Sequence, residues 1–264
     1  MGLSGTTLPG TEKFYDRWTE LYLRGFGPVL QAGILRTGDP PREDPEQSVL
    51  ALAERAGLRD GDRIVDAGCG VAGPAIVIAL GYPKTVTDGV TISKQQYAIA
   101  QREISAAGLT DRVRVHLADY QNLPFGAAEF DQALFMESTC YATDLPAAYA
   151  EAFRVLRPGG RLYVKDVFCR AGQLKDHEAV QMKAFDQLWG CVRSKTMEES
   201  VEAMVQAGFD VTQSAPMSDI GTSRLLGSMF QLDGIGLRTS ELGEAFLRKD
   251  LIPPIEFGEI RAVK

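Results

Sequence analysis

Residues 64–73 read Ile64-Val65-Asp66-Ala67-Gly68-Cys69-Gly70-Val71-Ala72-Gly73, an apolar run that breaks into closely spaced glycines. The pattern predicts a strand over 63–67, a tight turn, and a helix over 73–80. Such a turn brings backbone N–H groups close to a ligand, because a Cβ at Gly68 or Gly70 would block the approach. A dinucleotide could bind there, but its fingerprint puts an acidic residue about 20 residues downstream, on the ribose. Here Asp66 sits two positions before the first glycine, where a carboxylate suits a cationic ligand.

Outward from this loop the pattern alternates. Residues 85–91 are β-branched and strand-like, 93–107 read as a helix with Ser93 as N-cap, and 113–117 and 132–136 read as strands. A helix over 143–156 is stopped by Arg157-Pro158-Gly159-Gly160, and 161–167 form the next strand. Strands alternating with helices imply parallel pairing through right-handed crossovers, hence a doubly wound α/β sheet. The last third predicts helices at 176–189, 197–207 and 225–232 and strands at 210–214 and 256–263. Upstream, the stretch from Gly38 to Pro45 is rich in proline and glycine. Before it, Phe14, Trp18, Leu21, Tyr22 and Leu23 predict an amphipathic helix; after it, 45–56 read as a helix. The chain thus divides into an N-terminal cap segment, 1–44, and one domain, 45–264, whose C-terminal helices cover the substrate.

Composition narrows the function. With 264 residues, 45% hydrophobic and 24% charged, the chain can bury one large core. No stretch approaches the roughly 18 uncharged apolar residues of a membrane helix, and the start lacks a basic run followed by an apolar one. A soluble cytoplasmic protein without membrane partners is expected. A net charge of −7 argues against a sequence-independent grip on nucleic acid. Small molecules are the expected partners, and self-association is left open. The four cysteines form no CxxC pair, so neither zinc nor a disulfide framework is expected, and no metal site is foreseen. His116 and His177 are the only histidines, and His116, inside a strand, reads as structural.

The D-x-G-x-G of Asp66, Gly68 and Gly70 resembles the first motif of the class I S-adenosylmethionine-dependent methyltransferases. The likeness runs well from Phe14 to Val167 and weakly beyond. It implies a mostly parallel, seven-stranded, Rossmann-like sheet with an N-terminal helical cap, in which these three residues hold the methionine part of the cofactor. Most members end the second strand with an acid for the ribose; this chain has Thr91. Gly89-Val90-Thr91-Ile92-Ser93-Lys94-Gln95-Gln96 is similar instead to the subgroup of mycolic acid cyclopropane synthases, sterol C-methyltransferases and prenyl diphosphate C-methyltransferases. That similarity assigns Thr91, Ile92 and Gln96 to ribose and adenine. The segment from Leu117 to Phe125 resembles the adenine-binding stretch, with Asp119 accepting from the exocyclic amine and Tyr120 beside it. Tyr15 and Tyr22 resemble cap tyrosines that approach the cofactor, although the family's Trp-Gly stands here as Arg24-Gly25.

In such a sheet ligands lie outside the carboxyl ends of the strands, so Met136 borders the cofactor and Glu137-Ser138-Thr139-Cys140-Tyr141 face the reaction. A partly desolvated Glu137 would have a raised pKa and suits a general base. Related natural-product O-methyltransferases carry histidines just after this glutamate. E-S-T-x-Y resembles the geranyl diphosphate C-methyltransferases, whose glutamate removes a proton after an alkene takes the methyl. A carbocation would be stabilised by aromatic faces, for which Tyr141, Tyr22, Phe185, Trp189 and Phe230 are candidates. A diphosphate would call for basic residues and bring a magnesium ion; Arg24 and Arg193, the latter beside a helix start near Thr196, are candidates. Two activities remain open: C-methylation of an isoprenoid diphosphate alkene, and O-, N- or C-methylation of another small molecule of specialised metabolism, with Glu137 as base or with proximity to the sulfonium sufficing. Asp66 and Thr91 disfavour a nicotinamide-dependent reductase, and Glu137 with its aromatic surround disfavours a binding module without turnover.

Overall fold

The computed structural model describes residues 10–31, 33, 35–36, 42–220 and 254–264. In chain order the elements are α1 (Thr11–Phe26), β1 (Leu35–Arg36), β2 (Arg42–Glu43), α2 (Pro45–Arg55), β3 (Arg63–Ala67), α3 (Gly73–Gly81), β4 (Val86–Thr91), α4 (Lys94–Ala106), β5 (Val113–Leu117) and β6 (Phe130–Met136). A 3₁₀ turn at Thr139–Tyr141 follows, then α5 (Leu145–Val155), β7 (Leu156–Cys169), α6 (Asp176–Trp189), α7 (Met197–Ala207), β8 (Asp210–Pro216) and β9 (Ile255–Val263). The expected helix at 225–232 lies outside the described residues, and with it Phe230.

One seven-stranded sheet, in the order β5-β4-β3-β6-β7-β9-β8, organises the chain. The first five run parallel, and β9 is antiparallel to both neighbours. Side chains alternate across it as the period of two requires. Ile64, Leu134 and Tyr163 pack with Val49, Leu52 and Ile78 of α2 and α3. Val65, Ala133, Phe135, Leu162 and Val164 pack with Tyr149 and Met204 of α5 and α7 on the other face. Burial on both faces is why these strands read as mostly apolar segments.

The chain leaves β3 toward β4 and β5 on one side and returns to build β6 and β7 on the other. The carboxyl ends of β3 and β6 therefore flank a topological switch point, where a crevice opens. The N-terminal helix closes over it. Asp16 on α1 caps α4 from outside, accepting from Ser93 Oγ at 2.6 Å and Gln95 N at 3.1 Å. The chain after α1 crosses the start of α3 so closely that a Cβ on Gly73 would lie 2.0 Å from the Pro28 carbonyl oxygen. Position 73 must be glycine for this backbone path.

One expectation shifts. Arg157-Pro158-Gly159-Gly160 ends α5 as foreseen, but β7 begins at Leu156 instead of Arg161: Phe130 pairs with Leu156 and Gln132 with Arg161, so 157–160 bulge from the ladder. The bulge stays hydrogen-bonded, with Gly159 N donating to Lys264 O at 2.9 Å and Lys264 N to Gly160 O at 2.9 Å.

Candidate active site

A cavity of about 420 Å³ occupies the crevice. Its floor is the loop after β3. Gly68 (φ +88°) and Gly70 (φ +57°) adopt left-handed conformations, and a Cβ on Gly68 would meet Ser138 Cβ at 2.5 Å. Gly68 N and Cys69 N both donate to Val90 O at 3.0 Å, fastening the turn to the end of β4. Asp66, 2% exposed, lines this floor with its Oδ2 lacking any partner. Burial pushes its carboxyl up to about 7. An unsatisfied buried carboxylate is unfavourable by itself and complementary to a cation.

The side wall comes from β4, β5 and their loops. Thr91 Oγ1 donates to Gln96 Oε1 at 2.8 Å and accepts from Ser93 N at 3.3 Å. Asp119 is exposed at the rim, accepting from Gln121 N at 2.8 Å. Tyr120 OH donates to Ser138 O at 2.9 Å and Ser138 Oγ to Ala67 O at 2.6 Å, so three strand ends are tied into one wall.

The opposite end carries Glu137, Asp166 and a pair of tyrosines. Glu137 has a left-handed backbone, φ +56°, unusual for a residue with a side chain. Its N–H donates to Lys165 O at 2.7 Å, and its carboxylate forms an ion pair with Lys165, which is fully buried and lies 5.1 Å from the Phe257 ring centroid. The desolvated carboxylate foreseen at Glu137 thus has a cation beside it. Asp166, next along β7, is the more deeply buried acid at 1% exposure. It accepts from Thr139 N at 2.8 Å, Thr139 Oγ1 at 2.7 Å and Val167 N at 2.8 Å, and burial nonetheless pushes it up to about 6. Tyr15 and Tyr141 meet edge to face at 5.3 Å, and burial holds both phenols well above their ordinary range, leaving them neutral donors. Tyr22 stacks on Trp189 at 6.0 Å, with Phe185 6.4 Å from Trp189.

Every described residue singled out from the sequence for the cofactor lines this one cavity, as do Glu137, Ser138, Cys140, Tyr141, Tyr22, Phe185 and Trp189, whereas Thr139 is not part of the lining. Arg24 and Arg193 do not. Arg24 is exposed, and the Arg193 guanidinium is bound to Glu199 at 2.8 Å, so the structure brings neither basic candidate to the cavity. His116 Nε2 lies 3.0 Å from Asp88 Oδ1 and is not part of the lining. Three residues escaped sequence reasoning. Lys165 and Asp166 interrupt an apolar strand as a charged pair, which was a readable signal. Gln31, buried against the cavity with both amide atoms unpartnered, carried none.

Glu12, Asp66, Asp119, Glu137 and Asp166 line the cavity, and among the described residues no lysine, arginine or histidine does. Nor, among them, do three or more histidine, cysteine, aspartate or glutamate residues gather where they could hold a metal ion. No described helix is long and apolar enough to cross a membrane.

The family described as methyltransferase domain matches residues 65–164. The methyltransferase GfsG of Streptomyces halstedii is 34% identical over 210 residues, 78% of this chain and 74% of that protein. The 24-methylenesterol C-methyltransferase 2 of Oryza sativa subsp. japonica is 36% identical over 153 residues, 58% of this chain; the match spans less than half of that protein, 42%. The solved structure of the [4+2]-cyclase SpnF superposes with a TM-score of 0.80 at 25% identity over 99% of both chains. Geranyl diphosphate C-methyltransferase from Streptomyces coelicolor A3(2), solved with Mg2+, geranyl diphosphate and S-adenosyl-L-homocysteine, shares the fold with a TM-score of 0.71 at 20% identity, covering 96% of this chain and 95% of that one.

Proposed function

Because the chain belongs to the class I S-adenosylmethionine-dependent methyltransferases, we propose that its methyl acceptor is a largely apolar small molecule without an anionic group, and that Glu137 receives the proton released. The observation that carries this reading is the lining: five carboxylates, a set of aromatic faces, and no cation among the described residues.

The floor suits the cofactor because Asp66 Oδ2 is an orphaned acceptor for an ammonium, and the left-handed turn at Gly68 and Gly70 lines the cavity beside it. Asp66, Gly68 and Gly70 would hold its amino-acid end, Thr91, Ile92 and Gln96 its ribose and adenine, and Asp119 and Tyr120 the adenine edge, with Met136 and Tyr15 bordering the sulfonium. When bound, S-adenosylmethionine supplies an electrophilic methyl group beside these residues. Glu137, held by buried Lys165, then accepts a proton from a hydroxyl, an amine or a methylated carbon, and Asp166 anchors the 3₁₀ turn that carries Tyr141. The neutral phenols of Tyr15 and Tyr141 orient the acceptor by donating hydrogen bonds, and Tyr22, Phe185 and Trp189 keep water out.

A second reading, methylation of an isoprenoid diphosphate alkene, draws on the same aromatic faces, which would stabilise a carbocation, and on the likeness to a fold that binds geranyl diphosphate with Mg2+. It requires basic residues from outside the described lining, and any magnesium would arrive on the diphosphate. The test is mass spectrometry of reactions with S-adenosylmethionine and panels of phenols, sugars, amines and short prenyl diphosphates, with and without magnesium. A methylated product on a neutral acceptor or an amine supports the first reading; methylation restricted to diphosphates overturns it in favour of the second.

A further inference from the structure

The Gln31 side chain lines the cavity at 4% exposure, yet neither Nε2 nor Oε1 has a hydrogen-bond partner. A buried amide left in this state is unfavourable, and Asp66 Oδ2 in the same cavity is unsatisfied as well. The path of the chain sets Gln31 beside the glycine turn. Pro28 touches Gly73, and Leu30, the residue before Gln31, has Cδ1 3.7 Å from where a Cβ on Gly70 would sit. The ligand group that belongs over this turn is an α-amino acid, whose ammonium and carboxylate hang from one carbon. Asp66 accepts from the ammonium but repels the carboxylate, and no cation in the described lining offsets that repulsion. A primary amide offers a donor and an acceptor side by side, which matches the pair.

We infer that Gln31 clamps the zwitterionic end of the cofactor, Nε2 donating to its carboxylate and Oε1 accepting from its ammonium, while Asp66 takes a second ammonium hydrogen. The inference rests on the cofactor reading above. It assigns a recognition role to the segment between α1 and β1, so the N-terminal cap both covers the cofactor and reads its amino-acid end.

Titration calorimetry with S-adenosylhomocysteine and with 5′-methylthioadenosine, the same nucleoside thioether without the amino-acid end, tests it. Gln31→Leu is expected to weaken S-adenosylhomocysteine binding about tenfold to a hundredfold and to leave 5′-methylthioadenosine within about twofold. Gln31→Glu, which sets a second carboxylate against the ligand's own, is expected to weaken only S-adenosylhomocysteine, and more severely. Removing an unsatisfied amide should also raise the thermal midpoint of ligand-free Gln31→Leu, so lost affinity and gained stability occur together. Unchanged S-adenosylhomocysteine affinity, or a parallel loss for both ligands, overturns the clamp. Should Gln31→Leu fail to fold, Gln31→Met carries the same expectations. Absence of S-adenosylhomocysteine binding by the unaltered protein would remove the cofactor reading itself, an outcome distinct from failure of the clamp alone.

Discussion

Replacing Asp66 by asparagine should act on cofactor binding and on the empty fold in opposite directions. Burial pushes the Asp66 carboxyl from 3.8 up to about 7, so near neutral pH only about half of the ligand-free molecules carry the anion that an ammonium requires. Affinity for S-adenosylhomocysteine should track that fraction and fall about eightfold between pH 7.5 and pH 6. In the empty protein the raised value favours the protonated acid. The folded state is therefore unaffected below about pH 4, loses stability as pH rises toward 7, and above that carries a penalty of up to about 4 kcal/mol. Asparagine cannot ionise. The Asp66→Asn protein should bind more weakly at pH 7.5, show little pH dependence, and when empty melt at a higher temperature than the unaltered protein at pH 8. Asp166, pushed up to about 6, titrates in both proteins and drops out of the comparison. Calorimetry from pH 6 to 7.5 and thermal unfolding from pH 5 to 8 supply the measurements. A flat affinity profile in the unaltered protein, or the same slope in the asparagine variant, would refute the assignment of Asp66 to the ammonium.

Glu137→Gln should keep S-adenosylhomocysteine affinity while lowering turnover by about 10²-fold or more; nearly unchanged single-turnover rates would remove Glu137 as proton acceptor. Lys165→Met leaves Glu137 without the cation paired to it, and urea denaturation should show a loss of about 3 kcal/mol, partly restored in the Lys165→Met/Glu137→Gln double variant. A double variant whose loss equals the sum of the Lys165→Met and Glu137→Gln losses would show that the pair is not coupled. Gly73→Ala forces the Pro28 carbonyl away from α3 and should cost about 1–3 kcal/mol, read as a lower thermal midpoint together with weaker S-adenosylhomocysteine binding.

The parallel strands were legible because burial on both faces leaves mostly apolar segments, and the β3 loop because its need for glycine is a property of the local backbone. Ser93 was readable as a cap since its side chain serves Gln96 N only three residues away. What could not be read depends on register and path. Lys165 meets Glu137 because β6 and β7 pair Met136 with Lys165, an alignment that no periodicity within either strand encodes. Gln31 faces the cavity because its segment crosses α3 at Gly73. Arg193 is engaged by Glu199 in the first turn of the following helix, so a basic residue beside a helix start is occupied before any ligand arrives. The bulge at 157–160 follows from backbone bonding to Lys264, more than 100 positions away.

The carboxylate-lined cavity also gives the catalytic cycle a direction. Methyl transfer takes the sulfonium's positive charge off the cofactor, so the spent molecule leaves neutral overall a site whose described ionisable lining is wholly acidic. Attraction to the carboxylates therefore distinguishes the two forms of one ligand by charge while their shapes hardly differ. Product inhibition should accordingly be mild, and the preference for the charged form should shrink as added salt screens the rim carboxylates Glu12 and Asp119. Exhaust and fuel differ by one unit of charge, and an acidic lining favours the fuel.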